Sequence, residues 1–413
     1  MAKFPSSIFR RMQSSAPRHR PRSVEVEAAD GDNQADNLLS LPNDLLFKIL
    51  LNLSAQDIYY RASRVCRTLY YHTIRSEEFV NLHLRQTDEY GLLFRIIYAP
   101  TREFIDIDQY SSQRMVFVSM KQGRVTVSDY NYACKSRIMF ESSCNGLIPE
   151  YNFWDPSSNV HLANPVTGRA LQLPPFPKNA KSTFYRVGYA EASKAYKVAL
   201  VQTDGGRDAR WAILTVGVDS WWRHLATNHL NGSTLGQLVV TEGFIHSIFQ
   251  DTILTLNVET EVMIETSARV PVQYHPTKYM KWYLSTGKAL TVVVRVEDGV
   301  FRVWEMVMSG DYYYWREWER PIVLGNQLQE IVDDKYRFTI QPVGWLQQME
   351  VLVFKVSSRN EPCKVFYVVI ATGEIGWITP ISSNKEWSIE EFYKIYDPVV
   401  PHRNTLVELE GYC

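Results

Sequence analysis

Side chains able to do chemistry are plentiful in this chain, but their spacing does not assemble an active site. No serine sits in a G-x-S-x-G elbow, no glycine-rich loop of either common kind could cradle a phosphate, and no H-E-x-x-H pair offers zinc ligands. His224 and His229 are the nearest histidines in sequence, and five residues apart in a strand-and-turn region they do not define a metal site. Cys66, Cys134, Cys144, Cys363 and Cys413 lie scattered without a C-x-x-C pair, which points away from a zinc cluster or a disulfide framework and toward a reducing compartment. No catalytic residue, metal ligand or cofactor is therefore assigned. What remains is the chemistry of recognition, and its densest stretch is "DYYYWREW", Asp311 to Trp318. Strand alternation puts Tyr312, Tyr314 and Arg316 on one face and Tyr313, Trp315 and Glu317 on the other. Tyr, Trp and Arg dominate binding hot spots, so Tyr312, Tyr314, Arg316 and Trp318 are the candidates for contact with a target, with aromatic core packing as the competing use.

Elements must position such residues, and the composition limits which ones. A chain of 413 residues with 45% hydrophobic side chains can bury a large core and still hold a second module. A formal net charge of -1 gives no electrostatic footprint for nucleic acid or an anionic membrane. No apolar run approaches the ~18 residues of a membrane span, and the N-terminus lacks a secretion-signal core. A soluble protein of the cytoplasm and/or nucleus is expected. Residues 1–39 pass from a basic Ser/Pro-rich part to an acidic polar part, a composition that reads as a disordered tail. An organelle transit peptide and a nuclear import signal are the functional alternatives for it.

Residues 40–86 read as a small helical module. Pro42 suits a helix start, with Asn43 and Asp44 at its positive end, and Leu45, Leu46, Ile49, Leu50 and Leu53 form an apolar stripe opposite Lys48 and Asn52. In "LSAQDI", Ser54 caps a second helix with Asp57 three residues on, and Leu53 and Ile58 are placed as a hydrophobic staple. That helix is expected to carry Ile58, Ala62, Val65 and Leu69 on one face with Cys66 beside them, and "SEEFVNLHL" supplies a third after Ser76. Three short helices make a core that is marginal alone, so a partner surface should complete it.

The stretch "LPNDLLFKILLNLSAQDIYYRASRVCRTL" resembles the F-box, whose outline is Leu-Pro-x-Asp/Glu-Leu, Ile-Leu, Leu-Pro, then Val-Cys-Arg/Lys-x-aromatic. The resemblance implies docking to a Skp-type adaptor and, through it, to a cullin ubiquitin ligase. By position it implies that Leu41, Pro42, Leu45, Ile49, Leu50, Leu53, Ile58, Val65 and Cys66 face or support the adaptor. Ser54 replaces the second proline, Lys48 stands where an acid is usual and Leu69 where Trp is common. The span from Leu53 to Val65 is one residue longer than the commonest version.

From Leu92 onward short Val-, Ile-, Tyr-, Phe- and Trp-rich runs alternate with Gly, Asn, Asp and Ser turns, the pattern of half-buried strands. A unit of strand, small or polar turn and strand recurs at Gly123, Gly168, Ser220, Thr260, Gly310 and Gly373, at intervals of roughly 45, 52, 40, 50 and 63 residues. That period is close to a kelch blade and implies a β-propeller over 92–400, with a pair of β-sandwiches as the alternative. "SCNGLI", "ANPVTGRALQLPP", "YRVGYAEASKAYKVALV" and "DSWWRHL" resemble the F-box-associated, kelch-like domain of the large plant F-box family. The expected fold is an α+β multidomain chain, a small N-terminal three-helix F-box followed by an all-β kelch-like β-propeller of six to eight blades. The resemblance implies a non-catalytic substrate receptor: the helices dock the adaptor and the propeller holds an unidentified target protein. A free-standing propeller that binds a ligand or partner, or is an enzyme, without adaptor contact is the alternative.

Overall fold

The computed structural model describes residues 41–86, 90–99, 113–130, 138–139, 141–152, 159–176, 182–203, 209–225, 237–249, 252–267, 269, 280–309, 312–325, 338–358, 363–378 and 392–409. The tail expected over 1–39 lies outside them, as do His229, Gly310 and Asp311.

Helix α1 (Asn43–Leu51) starts where the Pro42 carbonyl accepts from the Leu45 and Leu46 N–H groups, both at 3.0 Å. Ser54 then caps the next helical segment as its type and spacing require: Oγ accepts from the Asp57 N–H at 3.0 Å and donates to the Asp57 carboxylate at 2.7 Å.

The second helix is not the continuous rod that the apolar spacing predicts. It runs as α2 (Ala55–Asp57), a π turn (Ile58–Ala62) and α3 (Ser63–Val65), and stops at Cys66, whose backbone is extended at φ -155°, ψ 165°. The π turn has a physical reason in the extra residue between Leu53 and Val65. The Ser63 N–H reaches back five residues to the Ile58 carbonyl, so one more residue fits into the turn. Ile58, the first residue of that turn, and Leu69 beyond it are buried, while Val65 turns outward at 71% exposure, off the face it was expected to share with them. Cys66 then caps α4 (Arg67–Thr73), its Sγ accepting weakly from the Leu69 N–H at 3.5 Å. Ser76 caps α5 (Glu77–Gln86) through the Phe79 N–H at 3.1 Å. Phe79 is fully buried, edge-on to Phe47 at 5.0 Å and stacked on His83, whose Nε2 lies 2.9 Å from the Leu53 carbonyl.

The rest is six antiparallel sheets, the blades of a propeller. Blade 1 holds β1 (Tyr90–Ala99), β2 (Gln113–Lys121) and β3 (Arg124–Asp129). Blade 2 is β4 (Ile138–Met139), β5 (Ile148–Asn152), β6 (His161–Asn164) and β7 (Arg169–Gln172). Blade 3 is β8 (Ser182–Ala190), β9 (Ala195–Thr203), β10 (Ala209–Thr215) and β11 (Arg223–His224). Blade 4 is β12 (Gln237–Thr241), β13 (Phe244–Phe249), β14 (Thr252–Asn257) and β15 (Met263–Ser267). Blade 5 is β16 (Met280–Ser285), β17 (Leu290–Glu297), β18 (Val300–Ser309) and β19 (Tyr312–Glu317), with β20 (Ile322–Val323) pairing β18 as an addition. Blade 6 is β21 (Phe338–Leu346), β22 (Val351–Ser358), β23 (Lys364–Val369) and β24 (Ile375–Ile378). The last strand, β25 (Phe392–Arg403), returns to pair with β1, with Leu92 opposite Pro401 and Ile96 opposite Ile395, and completes blade 1.

Of the six repeat turns read from the sequence, the five within the described residues, at Gly123, Gly168, Ser220, Thr260 and Gly373, fall on one topological position, the connection between the third and fourth strands of a blade. The longest interval, between the turns of blades 5 and 6, contains the added strand β20. Apolar clusters fill the junctions of blades 2 and 3, 3 and 4, 4 and 5, 5 and 6, and 6 and 1, so inner strands are apolar on both faces where two such junctions flank them. On β17, Val292 and Val294 pack toward blade 4, while Val293 between them packs toward blade 6. The junction of blades 1 and 2 carries a polar seam made by the segment following β25. Asn164 donates to the Thr405 and Val407 carbonyls at 3.0 and 2.9 Å, Thr405 donates to the Asn145 carbonyl at 2.8 Å, and Tyr130 donates to Asn404.

Candidate adaptor-docking face and recognition head

On α1 the apolar stripe separates into two rows. Leu46 and Leu50 are buried at 3% and 2% exposure, whereas Leu45 and Ile49, one residue earlier in each case, remain 44% and 42% exposed. Rows offset by one residue differ by about 100° around a helix axis, so one can face the helical core while the other faces outward. Among the remaining residues expected at the adaptor, Ile58 is fully buried, Leu41, Leu53 and Cys66 are half-buried, and Pro42 is exposed. Val65 stands out from the π-turn segment, and Tyr71 on α4, which the sequence reading did not single out, is 64% exposed. Its signal was available only in part, because nothing in the spacing tells an outward aromatic from an inward one.

The β19 candidates also divide. Tyr312 and Tyr314 project at 80% and 49% exposure, and Arg316 on the same face donates to Glu305 on β18 at 2.5 Å. Trp318 lies beyond the strand, half-buried against the cluster shared by blades 5 and 6, its ring 5.4 Å from that of Trp345. Packing accounts for Trp318, whereas the two tyrosines are available to a partner. On the other face Trp315 packs on the cluster shared by blades 4 and 5.

Helix α5 connects the two functional parts. Val80 and Leu84 pack against the cluster shared by blades 2 and 3, to which Val407 also belongs. Beside them a cavity of about 620 Å³ opens, rimmed by Asn81 and Arg85 and bounded on the propeller side by residues of the Tyr189, Glu242 and His402 regions. A smaller cavity of about 130 Å³ shares Ser143, Val240, Ser285 and Pro401 with it. Ser143 Oγ lies 2.7 Å from His402 Nδ1, and burial pushes the His402 imidazole down to about 3. Burial and the charge of Glu242 push the Cys144 thiol up to about 12, so that thiol stays protonated and unreactive at neutral pH. Among the described residues no three His, Cys, Asp or Glu side chains come together to hold a metal ion, and no helix is long and apolar enough to cross a membrane.

A small capped helical module with an outward apolar row, followed by a six-bladed propeller, defines an F-box protein with a propeller head. The F-box associated beta propeller domain family matches residues 103–396 and the F-box domain family matches residues 38–79. The chain belongs to the family of proteins with an F-box associated β-propeller domain. No curated protein matches it. Among solved structures, a post-proline cleaving enzyme from Rickettsia typhi is 9% identical with a TM-score of 0.35, the alignment covering 67% of this chain and 42% of that one. The chain thus spans under half the length of that enzyme. The periplasmic gluconolactonase PpgL of Pseudomonas aeruginosa is 10% identical, with 70% and 82% covered and a TM-score of 0.35. The SapL1 lectin in complex with alpha methyl fucoside is 11% identical, with 71% and 96% covered and a TM-score of 0.34. Likeness at this level carries no functional content.

Proposed function

We propose that this chain is the substrate-recognition subunit of a Skp–cullin–F-box ubiquitin ligase. Residues 40–86 dock a Skp-type adaptor and residues 92–400 hold a target protein for ubiquitination, in the cytoplasm and/or nucleus of a plant cell. The chain itself supplies position rather than a reacting group. The observation that carries this reading is the outward row of Leu45 and Ile49 on α1, left uncovered beside a buried row in an F-box match. Leu41, Pro42, Leu45, Ile49 and Val65 make the contact in this reading, and Leu50, Leu53, Ile58 and Cys66 support them from behind.

The test is co-purification of a Skp-type adaptor with the wild-type chain, with Ile49→Asp and with Val65→Asp. Leu50→Asp is a poorer probe, because a charge at a 2% exposed position would unfold the helices as well as weaken docking. An apolar side chain less than half exposed has about 1 kcal/mol of burial left to gain, and a carboxylate stranded in the interface costs several kcal/mol more. Ile49→Asp should therefore reduce adaptor binding at least ~100-fold with the propeller still folded by circular dichroism. Adaptor binding that is absent from the wild type, or indifferent to Ile49→Asp, points instead to a free-standing propeller. Target turnover that depends on the propeller separates a degrading receptor from an F-box protein that binds the adaptor without promoting ubiquitination.

A further inference from the structure

Positive charge gathers on one short part of the helical module, although the whole chain carries a formal net charge of -1. Between Asp57 and Glu77 no aspartate or glutamate occurs, while Arg61, Arg64, Arg67 and Arg75 do, all of them exposed. Arg75 has a use inside the fold. Its guanidinium lies over the Tyr70 ring at 5.8 Å, just beyond the C-terminal end of α4, where a cation favours the helix. The other three do little for stability. Arg61 pairs with Asp57 at 3.0 Å, but with side chains 84% and 42% exposed that pair holds almost nothing together. Arg64, in α3, leans over the Tyr60 ring at 5.5 Å. Arg67 is the first residue of α4, the positive end of the helix, and has no hydrogen-bond or ion-pair partner among the described residues.

These charges surround an apolar centre. Beyond the π turn Arg64 and Val65 both face outward before the chain extends at Cys66, so Val65, 71% exposed, stands between Arg61 and Arg64 before it and Arg67 after it. One turn along α4 from Arg67, Tyr71 is 64% exposed. Valine and tyrosine ringed by arginines have the composition of a binding surface, in which Tyr and Arg supply much of the energy. The matching partner brings carboxylates to the ring and an apolar side chain to the centre. Guanidinium groups repel a basic segment and gain little from a neutral one.

Val65 belongs to the face that docks the adaptor in the reading above, so the arginines continue that face rather than open a second one. We propose that Arg61, Arg64 and Arg67 are the electrostatic half of the docking face, selecting an adaptor with an acidic segment whose apolar residue packs on Val65 and Tyr71. This rests on the receptor reading and adds to it the sign of the charge that the adaptor presents and the residues that read it.

The experiment measures, by calorimetry, the affinity of a recombinant Skp-type adaptor for the full chain at about 0.05 M and about 0.5 M salt. The wild type is compared with Arg64→Glu, Arg67→Glu and, as a control, Arg320→Glu, an exposed arginine between β19 and β20. Each strip reversal should weaken binding about tenfold at the lower salt and about twofold at the higher, with Arg320→Glu unchanged. Both strip side chains are exposed, so the helical signal in circular dichroism should stay as in the wild type. Arg64→Lys and Arg67→Lys keep the charge and add an amine. Zero-length carbodiimide coupling, mapped by mass spectrometry, should join that amine to a carboxylate of the adaptor. Adaptor affinity indifferent to both reversals overturns the strip reading and leaves the receptor reading standing, as does coupling of the added amines only within the chain itself. If the adaptor does not bind the wild type at all, both readings fall. Single-stranded RNA, or vesicles with about 30% anionic lipid, that bind the wild type and not the reversals while adaptor affinity stays unmoved would overturn the proposal and assign the strip to nucleic acid or membrane.

Discussion

Acid should unfold the propeller by an amount that two buried imidazoles set. His246 hydrogen-bonds Thr241 and Thr255 through its two ring nitrogens, each at 2.9 Å, and His402 bonds Ser143 while packing edge-on to Phe117 and Tyr130. Burial lowers both from the ordinary 6.5 to about 3. A histidine held low in the folded state binds its proton more readily when unfolded. Its stabilising contribution is complete above pH 6.5 and declines steadily as pH falls toward 3. Integrating between pH 7 and pH 5 gives a loss of about 2 kcal/mol per imidazole, or about 4 kcal/mol for the pair, against a typical total of about 5 to 15 kcal/mol. Glu261, which hydrogen bonding from Arg223 holds below the usual 4.5, begins to add to the loss only below that pH, and Glu408, pushed up by burial, opposes part of it. Urea unfolding followed by tryptophan fluorescence at pH 7, 6 and 5 reads the effect. His246→Gln, which keeps a donor and an acceptor for the threonines but does not titrate, should remove about half the pH dependence. A wild-type change under about 1 kcal/mol, or a parallel curve for the variant, would refute the reasoning.

Other substitutions test the elements separately. Ser54→Ala removes the acceptor for the Asp57 N–H and should cost about 1 kcal/mol, seen as faster amide exchange in the helical module. Gly146→Ala should cost about 2 to 4 kcal/mol in urea unfolding, because φ is +82° and a Cβ would come 2.2 Å from Thr405 Oγ1 and 2.9 Å from the Arg403 carbonyl in the polar seam. Replacing Tyr312 and Tyr314 by alanine should leave stability within about 0.5 kcal/mol while lowering capture of a target that uses β19, whereas Trp318→Ala should lower the midpoint through lost packing on Trp345.

What was legible in the sequence was what lies close together in it. The Ser54 cap needs only three residues of context, and the five described repeat turns need one hairpin each. The apolar stripe of α1 was equally plain, but periodicity says which residues share a side and not which of them the chain covers itself. Leu50 and Ile49 look alike in the sequence and differ entirely in burial. The π turn left a trace, the single extra residue before Val65, that could not say whether the helix would bulge or break. The cavity left none, since Arg85, Glu191, Glu242 and His402 come from distant segments that only closure of the ring brings together.

That closure has a consequence for synthesis. β1 emerges early from the ribosome and β25 near the end, so the backbone edge of β1 stays unpaired until the whole of the intervening chain has been made. The closed propeller is then an all-or-none product of translation. A stop codon anywhere before Phe392 would leave an open ring prone to edge-to-edge association and would remove Val407 from the cluster under α5, yet α1 to α4 (Asn43–Thr73) would still be made. If those helices dock the adaptor, such a fragment occupies adaptor without delivering a target, and co-expressing it with the full chain should slow target turnover in proportion to its abundance.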